Sequence, residues 1–135
     1  MKGILTDHNM EGQAKLLLQL LTSDDWRDLW EPLQLLLFTF ADFQLANSAP
    51  DDVLWFTCQQ EEVVLITANR NHDGPTSLEA VIRENNTSNS LPIFTVSDAT
   101  KIITSKTYAE NTAAKMLEFL MEIENYRGTG RLYLP

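Results

Sequence analysis

Apolar and polar positions along this chain recur with two periods. Short unbroken apolar runs read as buried strands, and stretches with apolar residues three and four apart read as amphipathic helices. Ile4 to Thr6 is a first strand. Glu11 to Leu21 is a helix with Leu16, Leu17, Leu20 and Leu21 on one stripe. Thr22-Ser23-Asp24-Asp25 stops that pattern and restarts it, and Trp26, Leu29, Trp30 and Leu33 follow at helical spacing until Pro32 ends or kinks the helix. Leu35 to Phe40 fits a second strand, with Ala41 to Asn47 as its exit loop. Ser48-Ala49-Pro50-Asp51 has the form of a helix start, with a capping hydroxyl, a proline in the first turn and a carboxylate three residues on. That helix carries Val53, Leu54, Phe56, Thr57 and Cys58 and closes at Glu61-Glu62. Val63 to Thr67 is the strand richest in β-branched residues. Asn71-His72-Asp73-Gly74-Pro75 reads as a turn, and Thr76-Ser77-Leu78-Glu79 as a capping box for a helix to about Glu84. Asn85 to Ser90 is a polar loop, Ile93 to Val96 a fourth strand, and Ser97 to Thr104 a short helix or turn. Thr107-Tyr108-Ala109-Glu110 opens a long final helix, about 107–126, which Gly128-Thr129-Gly130 ends. Leu132-Tyr133-Leu134 is left as a tail that adds an edge strand.

Strand and helix therefore alternate four times. That order predicts an α/β fold with a mainly parallel sheet of four to five strands, flanked by helices and joined by right-handed crossovers. With 135 residues, and no repeat or linker, the expected organisation is one domain over 1–135. Met116, Leu117, Phe119, Leu120 and Ile123 of the final helix span more than one face. The expectation is that part of this helix forms a subunit contact.

Charge narrows the function classes. Ten basic against 19 acidic residues give a net charge of −9, which disfavours RNA or any other polyanion held by phosphate neutralisation. The balance suits small ligands or a basic protein partner. One cysteine precludes an internal disulfide and fits a reducing, cytoplasmic setting. The N-terminal apolar stretch is too short for a signal peptide, and no run approaches the length of a membrane span. Phosphate-loop, dinucleotide-glycine and nucleophile-elbow motifs are absent from the sequence. Two histidines and one cysteine are too few for a typical structural zinc site, and Cys58 reads as a small buried apolar group.

The candidate chemistry lies at strand ends, where parallel sheets bind ligands. Asp7 follows the first strand directly; it or Asn9 either faces the crevice or caps the next helix. Asp51 and Asp52 sit in a predicted first helical turn, where acids favour the helix terminus electrostatically and can also point into the crevice. Asn69, Arg70, Asn71, His72 and Asp73 follow the β-branched strand, and five polar side chains exceed what a turn needs. Arg70 is suited to a phosphate or carboxylate.

The order of these segments resembles the PIN-like domain superfamily, above all its short stand-alone bacterial members, which are related to ribonuclease toxins. Those open with a strand running into Leu-Leu-Asp-Glu-Asn, matched here by Ile4-Leu5-Thr6-Asp7-His8-Asn9. An acid-containing exit loop and a Ser-Asp-Glu-Glu helix start follow, matched by Phe40-Ala41-Asp42-Phe43 and Ala49-Pro50-Asp51-Asp52-Val53-Leu54. Their next strand ends in Thr-Arg-Asp-Lys-Asp-Phe, matched by Thr67-Ala68-Asn69-Arg70-Asn71-His72. The resemblance covers roughly residues 2–120. It implies a single PIN-like domain in which Asp7 and Asp51 or Asp52 bind Mg²⁺ or Mn²⁺ for attack on an RNA phosphodiester. Asn69 and Asn71 stand where the family holds acids, so the implied site is divergent. Asn69 would then supply a neutral ligand or orient water, Arg70 would steady a phosphate, and Asp73 is a candidate replacement acid. Two functions follow as expectations: a weak or degenerate metal-dependent endoribonuclease, or a non-catalytic interaction module for a protein or small polar ligand.

Overall fold

The computed structural model describes residues 1–69 and 74–135. Five described strands form one all-parallel sheet: β1 (Gly3–Thr6), β2 (Leu36–Phe38), β3 (Val63–Thr67), β4 (Ile93–Val96) and β5 (Arg131–Leu134), in the order β2-β1-β3-β4-β5. Six described α-helices flank it: α1 (Glu11–Leu21), α2 (Arg27–Trp30), α3 (Asp51–Glu61), α4 (Leu78–Asn85), α5 (Ala99–Thr104) and α6 (Lys106–Met121).

The central strands are buried along their whole length and mostly apolar, with Thr6, Thr67 and Thr95 as buried polar exceptions, because both sheet faces are covered. Their side chains alternate between two cores, as the two-residue strand period requires. Ile4, Val64, Ile66, Phe94, Val96 and Leu134 join Leu17 and Leu21 of α1 and Ala113, Met116, Leu117 and Leu120 of α6. Leu5, Val63, Leu65 and Ile93 face the other way, against Leu54, Trp55 and Cys58 of α3 and Leu78, Val81 and Ile82 of α4. Each such fully buried side chain contributes on the order of 1.5–3 kcal/mol of transfer free energy.

The expected α/β alternation with a parallel sheet is observed, and the C-terminal tail does form an edge strand. Ser97 donates to the Leu134 carbonyl through both its backbone N–H and its hydroxyl, which anchors that strand to the exit of β4. The short α2 tightens into a 3₁₀ turn at Glu31–Leu33, with Pro32 inside it and Gln34 in a left-handed conformation.

Several boundaries differ from the sequence reading. The second strand is shorter, because Thr39 and Asp42 close a capping box around a 3₁₀ turn at Phe40–Phe43. Ser48 does not cap α3; Pro50 occupies the N-cap and no side chain bonds there. The cap of α4 is Ser77, not Thr76, and its hydroxyl accepts from the Ala80 N–H. The final helix starts earlier, with Ser105 as the cap accepting from the Tyr108 N–H. It ends at Met121 and continues as a 3₁₀ turn over Ile123–Tyr126. Met116, Leu117, Phe119, Leu120 and Ile123 are all buried within the chain itself. Among the described residues no helix is long and apolar enough to cross a membrane.

Gly3 sets the approach of β2 to β1. A Cβ at Gly3 would lie 2.0 Å from the Leu36 carbonyl oxygen and 2.8 Å from the Leu36 carbonyl carbon and nitrogen. These are backbone atoms of the paired strand and cannot yield without disturbing the ladder. Gly3→Ala is expected to cost about 1–3 kcal/mol, the range for overpacking, and to lower Tm by several degrees. Gly12→Ala, where an added Cβ meets nothing within 4 Å, should be neutral or stabilising in the same melt. An unchanged Tm for Gly3→Ala would contradict the β1–β2 register.

Candidate functional site

The strand order places a switch between β1 and β3. The chain runs from β1 outward to β2, then returns to the opposite side of β1 with β3. In open parallel sheets the crevice outside such a switch is where ligands bind, at the carboxyl ends of the strands. Asp7 follows β1, and Asn69 lies just beyond β3. Both line a cleft of about 450 Å³, together with Asn9, Asn47, Asp51 and Phe40.

Asp7 stands at the N-cap of the helical turn that follows it, but its side chain makes no cap hydrogen bond there. Its backbone N–H extends the β1–β3 ladder by donating to the Ile66 carbonyl at 3.0 Å. Its Oδ2 accepts from the Thr67 hydroxyl at 2.6 Å, and Thr67 is fully buried. The same hydroxyl oxygen accepts from the Asn69 N–H at 2.9 Å. One threonine at the end of β3 therefore fixes both the Asp7 carboxylate and the backbone of Asn69. Thr67 has the strand parity of Val63 and Leu65, which face α3, so Asp7 is held on the α3 side of the sheet.

Asp51 arrives from the first turn of α3. Both its oxygens accept from Asn69 Nδ2, at 3.2 Å each, and Oδ2 also accepts from the Leu78 N–H at 3.1 Å. Asp51 thus links three segments: the start of α3, the exit of β3 and the first residue of α4. Asp52 turns the other way. Its Oδ1 accepts from the neighbouring Val53 N–H at 2.8 Å, and it does not line the cleft.

Of the residues singled out in the sequence, Asp7, Asn9, Asp51 and Asn69 come together on one cleft. Arg70, Asn71, His72 and Asp73 lie outside the described residues. His8 is half-exposed, 3.9 Å from Glu11, and tilts toward the Phe40 ring. Among the described residues no three His, Cys, Asp or Glu side chains form a metal-holding group. Sequence reasoning missed Thr67 and Asn47. The signal for Thr67 was present: a hydroxyl closing a Val/Ile run, with the parity that faces the adjacent strand's terminal acid.

Cys58 lies beneath this region, fully buried on α3. Burial pushes its thiol well above the ordinary range, and the nearby negative charge of Asp7 adds to the shift. Cys58 is therefore neutral wherever the protein is folded near pH 7, the condition of an inert structural cysteine.

Fold and cleft together define the chain as an α/β domain with a five-strand parallel sheet and an acidic cleft at its β1/β3 switch. No family model matches the sequence, and no curated protein or solved structure matches it either.

Thr67→Val tests the pivot. It preserves shape but removes one hydrogen bond to a carboxylate and one from a backbone N–H. The expected loss is about 2 kcal/mol, from the net worth of a charged and a neutral hydrogen bond, measured by urea unfolding. Thr67→Ser keeps the hydroxyl and should retain most of that stability. Equal stability of the valine and serine variants would show that the hydroxyl does not bear on either partner.

Proposed function

We propose that the cleft is a weakened divalent-cation site of a PIN-like domain, directed at an RNA phosphodiester. The observation that carries this reading is the convergence of Asp7 and Asp51, from the end of β1 and the start of α3, on one cleft at the carboxyl edge of the sheet. The donor set suits Mg²⁺ or Mn²⁺, which take one or two carboxylates and complete their shell with water and substrate phosphate oxygens. Asp7 and Asp51 would hold the ion. A carboxylate offers about four lone-pair sites, and Asp51 uses three in the hydrogen bonds described, so it keeps capacity for a ligand. A bound divalent cation supplies an acidified water and neutralises charge on a phosphoryl group. The chain's own contribution is orientation: Thr67 fixes one carboxylate, and the Asn69 amide with the Leu78 N–H fixes the other. Asn69 donates an amide N–H to Asp51 where an acid would bring a further negative charge, and the missing charge is why the site is weak.

A second reading is favoured by one specific observation. Both Asp51 oxygens already accept from a neutral amide, and the chain carries a net charge of −9. A cleft satisfied in this way also suits a non-catalytic module that binds a protein segment or a small polar ligand.

Manganese titration separates the two. Binding at ten times the Kd adds about 1.4 kcal/mol, enough to raise Tm by a few degrees. The cation reading expects that rise in the wild type and its loss in Asp7→Ala, each compared with its own metal-free melt. Asn69→Asp adds a like charge beside Asp51, so it should lower the metal-free Tm and enlarge the manganese-induced rise. A wild type that shows no rise at 10 mM Mn²⁺, about ten times the dissociation constant of the weakest carboxylate sites, would support the second reading instead.

A further inference from the structure

Arg131 opens β5 at the edge of the sheet, yet its side chain is only 6 % exposed. It pairs with Ile93 in register, which faces the α4 side. From there its guanidinium spans β4 toward the exit of β3. Nη1 donates to the Thr95 hydroxyl at 2.6 Å and to the Asn69 backbone carbonyl at 2.8 Å. Nε donates to Glu79 Oε1 of α4 at 2.7 Å. Nη2 is buried with no hydrogen-bond partner among the described residues.

We infer that Arg131 is a positioning residue for the cleft, acting through Asn69. The inference rests on the cation reading of the cleft in its metal readout alone. Asn69 sits between three holds: the Thr67 hydroxyl on its N–H, Arg131 on its carbonyl, and Asp51 on its side-chain amide. Two of them pin the peptide groups on either side of its Cα, so the direction of its side chain toward Asp51 is set by the backbone. Arg131 is the hold that comes from the far end of the chain. Stability alone does not account for it. A buried guanidinium with one orphaned donor is a poorer filler than an apolar residue, and buried ion pairs are weak stabilisers. The planar fork is what the geometry uses, since one group must meet a carboxylate, a hydroxyl and a carbonyl in fixed directions. Glu79 neutralises the charge, so Arg131 delivers direction to the cleft rather than positive potential.

The test uses Arg131→Lys, which keeps the charge and the pairing with Glu79 but loses the fork. Two readouts are taken on the full chain: the Asn69 side-chain amide resonances in metal-free ¹⁵N spectra, and Mn²⁺ affinity by calorimetry. The expected result is displaced or broadened Asn69 amide resonances, with Mn²⁺ affinity lower by about tenfold or more, as for residues that orient metal ligands. Unmoved Asn69 resonances would overturn the inference. If the wild type binds no Mn²⁺, the cation reading fails, while the metal-free resonances still decide the positioning role. Should Arg131→Lys fail to fold, Glu79→Ala serves, because Glu79 is partly exposed and its loss frees the guanidinium. Displacement of the Asn69 resonances there supports the inference, and their constancy overturns it.

Discussion

The structure depends on the point where an all-parallel sheet reverses its direction of growth. From β1 the chain builds outward to β2, and β3 must then be laid on the opposite flank. Asp7 after β1 and Asn69 after β3 therefore stand side by side at the carboxyl edge of the sheet, where both line the cleft. The topology delivers both Asp7 and Asn69 to the same cleft. Gly3 sits inside the same arrangement, paired with Leu36 on one flank and Val63 on the other, and the Leu36 backbone leaves no room for a Cβ.

What fills the gap is a chain of neutral donors holding two acids. Asp7 rests on the Thr67 hydroxyl, and Asp51 on the Asn69 amide and the Leu78 N–H. No described side chain in the cleft lining is basic. Each carboxylate is held by hydrogen bonds from neutral donors, not by a cationic side chain of the cleft lining. Such a site is oriented but not neutralised. The cleft lining is acidic, and the chain's net charge of −9 has the same sign.

Much of the fold was legible in the sequence, for a physical reason. Ile4-Leu5, Val63 to Ile66 and Ile93-Phe94 are apolar on both faces, the pattern of strands in a sheet covered on both sides. The cleft acids Asp7 and Asp51 were legible because they sit at element ends. The caps were not. Ser77 and Ser105 compete with nearby threonines, and tertiary contacts choose between them. Glu79 would complete a box with Thr76, but it is drawn away to Arg131. Asp51 and Asp52 could not be told apart either. Which of the two faces the cleft depends on how α3 seats Leu54, Trp55 and Cys58 against the sheet, and no local pattern encodes that rotation.

The strand β5 is a weak pattern in the sequence and yet bears on the cleft. It is four residues long, it lies at the sheet edge, and it contains an arginine and a tyrosine among its leucines. Its apolar content alone is slight: Leu132 and Leu134 pack toward α6. Its larger contribution is polar, through the Leu134 carbonyl that receives Ser97 and the Arg131 fork that reaches Asn69. An edge strand normally marks the least constrained part of a sheet. Here it closes a hydrogen-bonded path from the end of the chain, across β4, to the residue that holds Asp51. The acid from α3 is therefore oriented by the strand farthest from it in sequence, and the cleft is complete only when the last strand is in place.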